Sequence, residues 1–155
     1  MNVIIHGENR WLNKFKLSSI SHNSNIMIIG ENDAEKSSCI VNILKSLNDI
    51  YETIIISPKE KSDNVYTNLK ISQTKTIYFS YKQRIIEKLL ADETKDRKRC
   101  IVFDKCLTQN ELNDNLLKEL MFNGYHYNIT TIIASTHPLN ISTDIKSNLD
   151  YVFLY

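Results

Sequence analysis

Residues 25–37 read Asn25-Ile26-Met27-Ile28-Ile29-Gly30-Glu31-Asn32-Asp33-Ala34-Glu35-Lys36-Ser37. The first five form an apolar run of strand length that stops at a glycine. Beyond Ser37, the residues Ile40, Ile43, Leu44 and Leu47 recur at i, i+3, i+4 and i+7, which is one apolar face of a helix. Strand, turn and helix in that order are the setting in which G-x-x-x-x-G-K-[ST] cradles phosphates. Backbone N–H groups wrap the anion, and the helix N-terminus adds a partial positive charge. Lys36 would reach the β and γ phosphates, Ser37 would hold Mg²⁺ through its hydroxyl, and Gly30 and Ser38 join them as nucleotide contacts. Glu35 stands where the second glycine belongs. A carboxylate about 4 Å from a phosphate charge costs about 4 kcal/mol at an effective dielectric near 20. That is roughly a thousandfold in affinity. A Glu35 that swings outward escapes most of it. The competing reading is a polar strand-to-helix turn with an ordinary surface Lys-Ser.

The rest of the chain repeats the strand–helix alternation. Glu52–Ser57 is a β-branched run stopped by Pro58, and reads as a buried strand. Residues 59–70 are polar and read as a loop. Thr76–Ser80 reads as a short strand and Tyr81–Ala91 as a helix. Arg99–Asp104 is an apolar run ending in a carboxylate. Leu112, Leu116, Leu117, Leu120 and Met121 mark a helix that ends near Gly124. Ile129–Ser135 and Asp150–Tyr155 read as strands, with a loop beginning at Pro138. The first 24 residues are irregular in pattern, with one short candidate strand at Asn2–Ile5 and Trp11 as a packing anchor. Continuous apolar strands between helices predict an α/β fold, a mainly parallel sheet with helices on both faces.

Length and composition bound the rest. The chain has 155 residues, which suits a single domain over 1–155. Its net charge is +1, so it carries neither a strongly basic arm nor an acidic tail. Hydrophobic residues make up 42%, enough to bury a core. No apolar run approaches the roughly 20 residues that span a bilayer, and the N-terminus lacks the pattern of a secretory signal. The expectation is a protein that is not secreted and has no membrane partner. Cys39, Cys100 and Cys106 are odd in number and form no C-x-x-C, so they read as reduced thiols.

Asp104 closes a strand of Walker B form, in which the terminal aspartate binds Mg²⁺ through water. A second acid often follows and activates the attacking water. Here that position is Lys105. A lysine serves as base at neutral pH only if its pKa falls steeply. The competing reading is a core strand whose aspartate caps the next turn.

From Ile26 onward the chain resembles the DNA-packaging ATPases of large nucleocytoplasmic DNA viruses, the poxvirus and giant-virus branch of the FtsK–HerA superfamily. Residues 25–47 resemble the strand, P-loop and helix of that family. Thr53–Glu60 resembles its second strand and "SPTE"-like turn. Cys100–Leu107 resembles its "IIFDDCL" block, Leu120–Ile129 its "LFFNGRHYNI" block, and Thr130–Tyr155 its last strands, with Asp144, Ser147, Asn148 and Asp150 in place. The resemblance implies a RecA-like P-loop NTPase fold that oligomerises and uses ATP and Mg²⁺ to drive double-stranded DNA into a capsid. It implies a host-cytoplasmic, viral-factory or virion location. It assigns Gly30, Lys36 and Ser37 to phosphate and Mg²⁺, Asp104 to the Walker B role, and Asn123, Gly124 and His126 to a family turn.

The departures fall on the chemistry. Glu35 replaces the glycine, Lys105 the second acid, and Tyr125 the arginine of the "GRH" turn. His137 lies near a glutamine sensor position. Lys146 replaces an arginine that would act catalytically on a neighbouring copy's phosphate, and a lysine cannot match a bidentate arginine. The chain also stops at the last strand, where the family continues with further helix. Several changes together suggest weakened or lost hydrolysis in a relative of the motor, as a homo-oligomer or beside an active paralogue. An inactive P-loop fold serving as an assembly scaffold is the alternative. A small nucleotide kinase is weaker, because arginine is scarce and no lid is evident. The basic cluster Lys95, Arg97, Lys98 and Arg99 reads as a solvated loop or a contact to DNA phosphate.

Overall fold

The computed structural model describes residues 15–93, 96–137 and 141–155. The candidate strand at 2–5, Trp11, Lys95 and the loop start at Pro138 lie outside these residues. The six apolar runs form strands β1 (Asn25–Ile29), β2 (Ile50–Ile56), β3 (Ser72–Tyr78), β4 (Arg99–Asp104), β5 (Ile129–Ser135) and β6 (Tyr151–Leu154). They make one sheet in the order β3-β2-β4-β5-β1-β6, with every pairing parallel. Helices α1 (Asp33–Ser46), α3 (Gln83–Ala91) and α5 (Asn115–Asn123) carry the crossovers, with shorter turns of helix at α2 (Glu60–Asp63), α4 (Gln109–Leu112) and α6 (Thr143–Ser147). This is an α/β sheet of the RecA-like P-loop kind.

Alternation along the strands builds two cores. Ile26, Ile28, Ile55, Val102 and Ile132 pack against Ile40, Ile43 and Leu44 of α1 on one face. Met27, Ile54, Ile56, Ile101, Phe103 and Ile133 pack against α3 and α5 on the other. From β2 the chain moves outward to β3, whereas from β4 it moves inward to β5. It therefore parts at the carboxyl ends of β2 and β4, where α/β proteins bind ligands.

The sequence placed β1, β4 and β5 with their observed bounds, and misplaced elements where the apolar signal is thin. β3 starts at Ser72, earlier than Thr76, because it is an edge strand with no buried residue to mark it. The helix expected to run through 112–124 is two helices. Thr108 opens the first with a capping box to Glu111, and the second starts after Asp114. α6 buries only Ile145, too little for a periodic pattern.

The amino ends of the strands are tied by polar groups. Asn25 donates its backbone N–H to Asp150 at 2.8 Å and its side-chain N–H groups to the carbonyls of Met121 and Asn148. Arg99 is 1% exposed and donates to the carbonyls of Leu89 at 2.8 Å and Tyr127 at 3.0 Å. It is therefore a brace between α3 and the turn before β5, and no DNA contact. Arg97 lies over the Tyr51 ring at 4.0 Å. Residues in 120–129 and 147–154 thus fasten this end of the sheet.

Replacing Arg99 with leucine strips both carbonyls of their donor. At roughly 1–3 kcal/mol for each orphaned buried group, it lowers stability by about 2–6 kcal/mol. The urea midpoint of Arg99→Leu against the native chain measures this.

Candidate functional site

Gly30 opens the turn at the carboxyl end of β1, but α1 begins at Asp33, so only Gly30, Glu31 and Asn32 remain as loop. The residues explain the early start. Asn32 is a favoured N-cap, Asp33 and Glu35 supply acids for the first turn, and Ala34 and Glu35 are strong helix formers. The Asn32 side-chain oxygen accepts from the N–H of Ala34 at 3.0 Å and of Glu35 at 3.4 Å. The Lys36 N–H donates to the Asn32 carbonyl at 3.2 Å. The amides that a phosphate cradle needs are therefore engaged within the chain. A glycine at 35 would weaken this turn of helix; Glu35 strengthens it, and its side chain is exposed. The turn as built thus has the N–H groups of Ala34, Glu35 and Lys36 occupied by Asn32.

Gly30 is required by packing. A Cβ there would lie 2.8 Å from the Tyr155 Cβ and 3.1 Å from its carbonyl oxygen. Tyr155 is held in that place by its N–H on the Ile29 carbonyl.

Lys36 is fully buried, its ammonium donating to the Gly30 carbonyl and lying 3.0 Å from the Asp33 carboxylate. Two further lysines meet the same carboxylate. Lys105 donates to Asp33 at 2.7 Å, and Lys59 also donates to it. These bonds, Lys105 foremost, then Lys59 and Lys36, hold the Asp33 carboxyl far below the usual carboxylate range. Asp33 in turn raises the pKa of Lys59. Lys105 reaches this position from a left-handed backbone, φ 53°. The other described non-glycine residues with positive φ are Asn or Asp. For a lysine the conformation costs about 1–2 kcal/mol, and the Lys105 N–H on the Ala134 carbonyl at 3.1 Å helps to fix it.

Asp104 ends β4 beside Ser57, at the parting of β2 and β4, and is 5% exposed. Its Oδ2 accepts from the Ser57 hydroxyl at 3.1 Å and from the Tyr66 phenol at 2.9 Å. Ser37 lies beside the same phenol on the wall of the same cleft. Burial first, then the neighbouring Asp104, pushes the Tyr66 pKa up, so the phenol stays protonated and donates. The Tyr66 hydroxyl thus adjoins both Ser37 and Asp104, the two side chains that would share a Mg²⁺. Glu60 supports Tyr66: its Oε1 accepts from the N–H groups of Tyr66 at 2.8 Å and Thr67 at 2.6 Å, and from the Thr67 hydroxyl at 2.7 Å. Its Oε2 is buried without a partner. These residues line a cleft of about 490 Å³ together with Asp33, Ser38, Lys59 and Asp63.

The structure therefore brings Lys36, Ser37, Ser38 and Asp104 to one end of the sheet. Lys36 points away from the cleft into the turn. Lys146 stands apart. It is exposed on α6, just before Asn148 and Asp150, which bond Asn25 at the amino end of β1. His126 is exposed in the family-like turn, at that same far end. His137 is exposed at the carboxyl end of β5, in a second cleft with Lys105 and Ser135. The Ser135 hydroxyl donates to the His137 carbonyl, so the pair makes no nucleophile and base. Burial pushes all three thiols up, Cys100 to about 12, which leaves no thiolate nucleophile.

Asp33, Lys59, Glu60 and Tyr66 were not singled out from the sequence. Asn32 followed by Asp-Ala-Glu was the available signal for the early helix. A lone aromatic in the polar stretch 59–70 was the signal for Tyr66.

No family model matches the chain. It is 25% identical over 140 residues to an uncharacterized protein of Frog virus 3 (isolate Goorha), covering 84% of this chain and 43% of that protein. It is 22% identical over 158 residues to an uncharacterized protein of Acanthamoeba polyphaga mimivirus, covering 92% and 56%. The chain spans about half the length of these viral relatives. Among solved structures it is similar to the cytoplasmic domain of EssC, with a TM-score of 0.56 and 14% identity over 85% of this chain and 31% of that one. That likeness concerns the fold alone. Among the described residues no helix is long and apolar enough to cross a membrane.

The close approach of Tyr155 makes Gly30→Ala a packing substitution. It costs about 1–3 kcal/mol by overpacking, read from the denaturation midpoint, and Tyr155→Gly in the same chain, which removes the Cβ it meets, recovers part of that loss.

Proposed function

We propose that this chain is a P-loop ATPase-like subunit of the viral DNA-packaging type that has lost ATP hydrolysis and acts through assembly. One observation carries the reading: where a second acid would activate water, Lys105 places its ammonium 2.7 Å from Asp33. A cation there accepts no proton, and a carboxylate held by three lysines is a poor base. The closed turn at Asn32 argues the same way, since it engages the amides that would cradle a triphosphate. Asp104 uses Oδ2 for two hydroxyls, and Glu60 uses Oε1 to brace residues 66 and 67.

ATP and Mg²⁺ remain the cofactors of this reading, bound weakly through Lys36, Ser37, Ser38 and Asp104. Double-stranded DNA and further copies of this chain, or an active paralogue, are its partners, in a viral factory or virion. Support for the viral setting comes from the two relatives. Support for DNA packaging comes from the sequence blocks at 53–60, 100–107 and 120–155. Lys146, exposed at the far end of the sheet, suits a contact between copies.

The test is phosphate release from Mg-ATP with and without duplex DNA. The expected rate for the native chain equals that of Asp104→Ala. Mg-dependent turnover that disappears in Lys36→Ala and in Asp104→Ala contradicts the reading. Light scattering on the same sample tests assembly, with a species larger than 18.1 kDa expected.

A further inference from the structure

Three ammonium groups from three separate segments converge on one carboxylate. Lys36 comes from α1, Lys59 from the turn after β2 and Lys105 from the turn after β4. Carboxylate and phosphate oxygens are recognised by the same donors. The Asp33 side chain is a third exposed, Lys59 about half exposed and Lys105 less, so solvent reaches these three, while Lys36 is buried beneath them. Asp33 sits one helical turn from Lys36, and its effective concentration at these lysines exceeds that of any free ligand of ordinary affinity.

We propose that Lys59 and Lys105, beside the buried Lys36, form an anion site for the terminal phosphates of a polyphosphate, and that Asp33 is its built-in competitor. Lys59 and Lys105 are its distinctive members, since neither belongs to a phosphate-loop pattern. The ligand class rests on the P-loop reading above; the loss of turnover plays no part in it. Asp63 and Asp104 face the same cleft, so one carboxylate can be neutralised at the cluster and another beside it.

The experiment is calorimetric titration of the chain with sodium tripolyphosphate at low salt, with and without Mg²⁺. Asp33→Asn and Asp33→Ala are expected to bind at least tenfold more tightly than the native chain. The gain is expected to vanish when Lys59→Gln and Lys105→Gln are added. Asp63→Asn removes the same charge without touching the lysines, and is expected to gain less than threefold. Equal affinity in the native chain and the Asp33 variants overturns the proposal, as does an equal gain in Asp63→Asn. Circular dichroism confirms that each variant is folded. Should both Asp33 variants unfold, the native background decides: tripolyphosphate binding there must weaken in Lys59→Gln/Lys105→Gln, and an unchanged affinity overturns the proposal. ATP turnover by the native chain would sink the preceding reading and leave this one standing.

Discussion

The side-chain oxygen of Asn32 fixes where α1 begins, and the carboxyl end of the sheet is arranged around that start. With the N–H groups of Ala34 and Glu35 bound to Asn32, Asp33 is already helical and projects one turn below Lys36. Lys36 then turns inward to Gly30 and Asp33, and Lys59 and Lys105 complete the set. A glycine at 35 would favour open loop at this point by about 1 kcal/mol relative to a helix former. One side chain thus decides whether these amides face a ligand or their own cap.

The same end of the sheet shows a second substitution of protein for ligand. The Tyr66 phenol donates to Asp104 beside Ser37, and Glu60 holds Tyr66 in place. The residues that look most like a nucleotide site are therefore present and close together, yet Lys36 and Asp104 are satisfied by neighbours in the chain. Lys105 accepts a left-handed backbone to reach Asp33, a local cost that the ion pair helps to offset. The blocks at 120–129 and 147–154 behave differently. They lie at the opposite end and hold β1, β4 and β5 in register through Asn25 and Arg99. Architecture and candidate chemistry thus occupy opposite ends of the strands.

Much of this was legible in the residues. The buried central strands announce themselves, because parallel strands covered on both faces are continuous apolar runs, as in β1, β4 and β5. The convergence of Lys36, Ser37 and Asp104 followed from strand order and motif. What the sequence hid was the state of the turn. Glycine spacing drew attention to phosphate binding, while the helix signal in Asn32-Asp33-Ala34-Glu35 pointed to a cap. Charge pairs that join distant segments, such as Asp33 with Lys59 and Lys105, leave no local pattern. Arg99 looked like part of an exposed basic run because burial of a long side chain is invisible to composition. Tyr66 was hidden for the converse reason, as one buried aromatic within an exposed polar stretch.

Carbon-13 NMR titration of the Asp33 carboxyl carbon tests the central arrangement directly. Three ammonium partners favour the ionised form, so the folded-state pKa lies far below the ordinary value of about 3.9. The stability they contribute is present above that ordinary value and is lost as pH falls below it. The predicted trace shows Asp33 still ionised well below that ordinary value, with its midpoint moving up in Lys59→Gln/Lys105→Gln. An Asp33 that titrates near 3.9 in the folded chain would contradict the account, because the three lysines would then not be holding it.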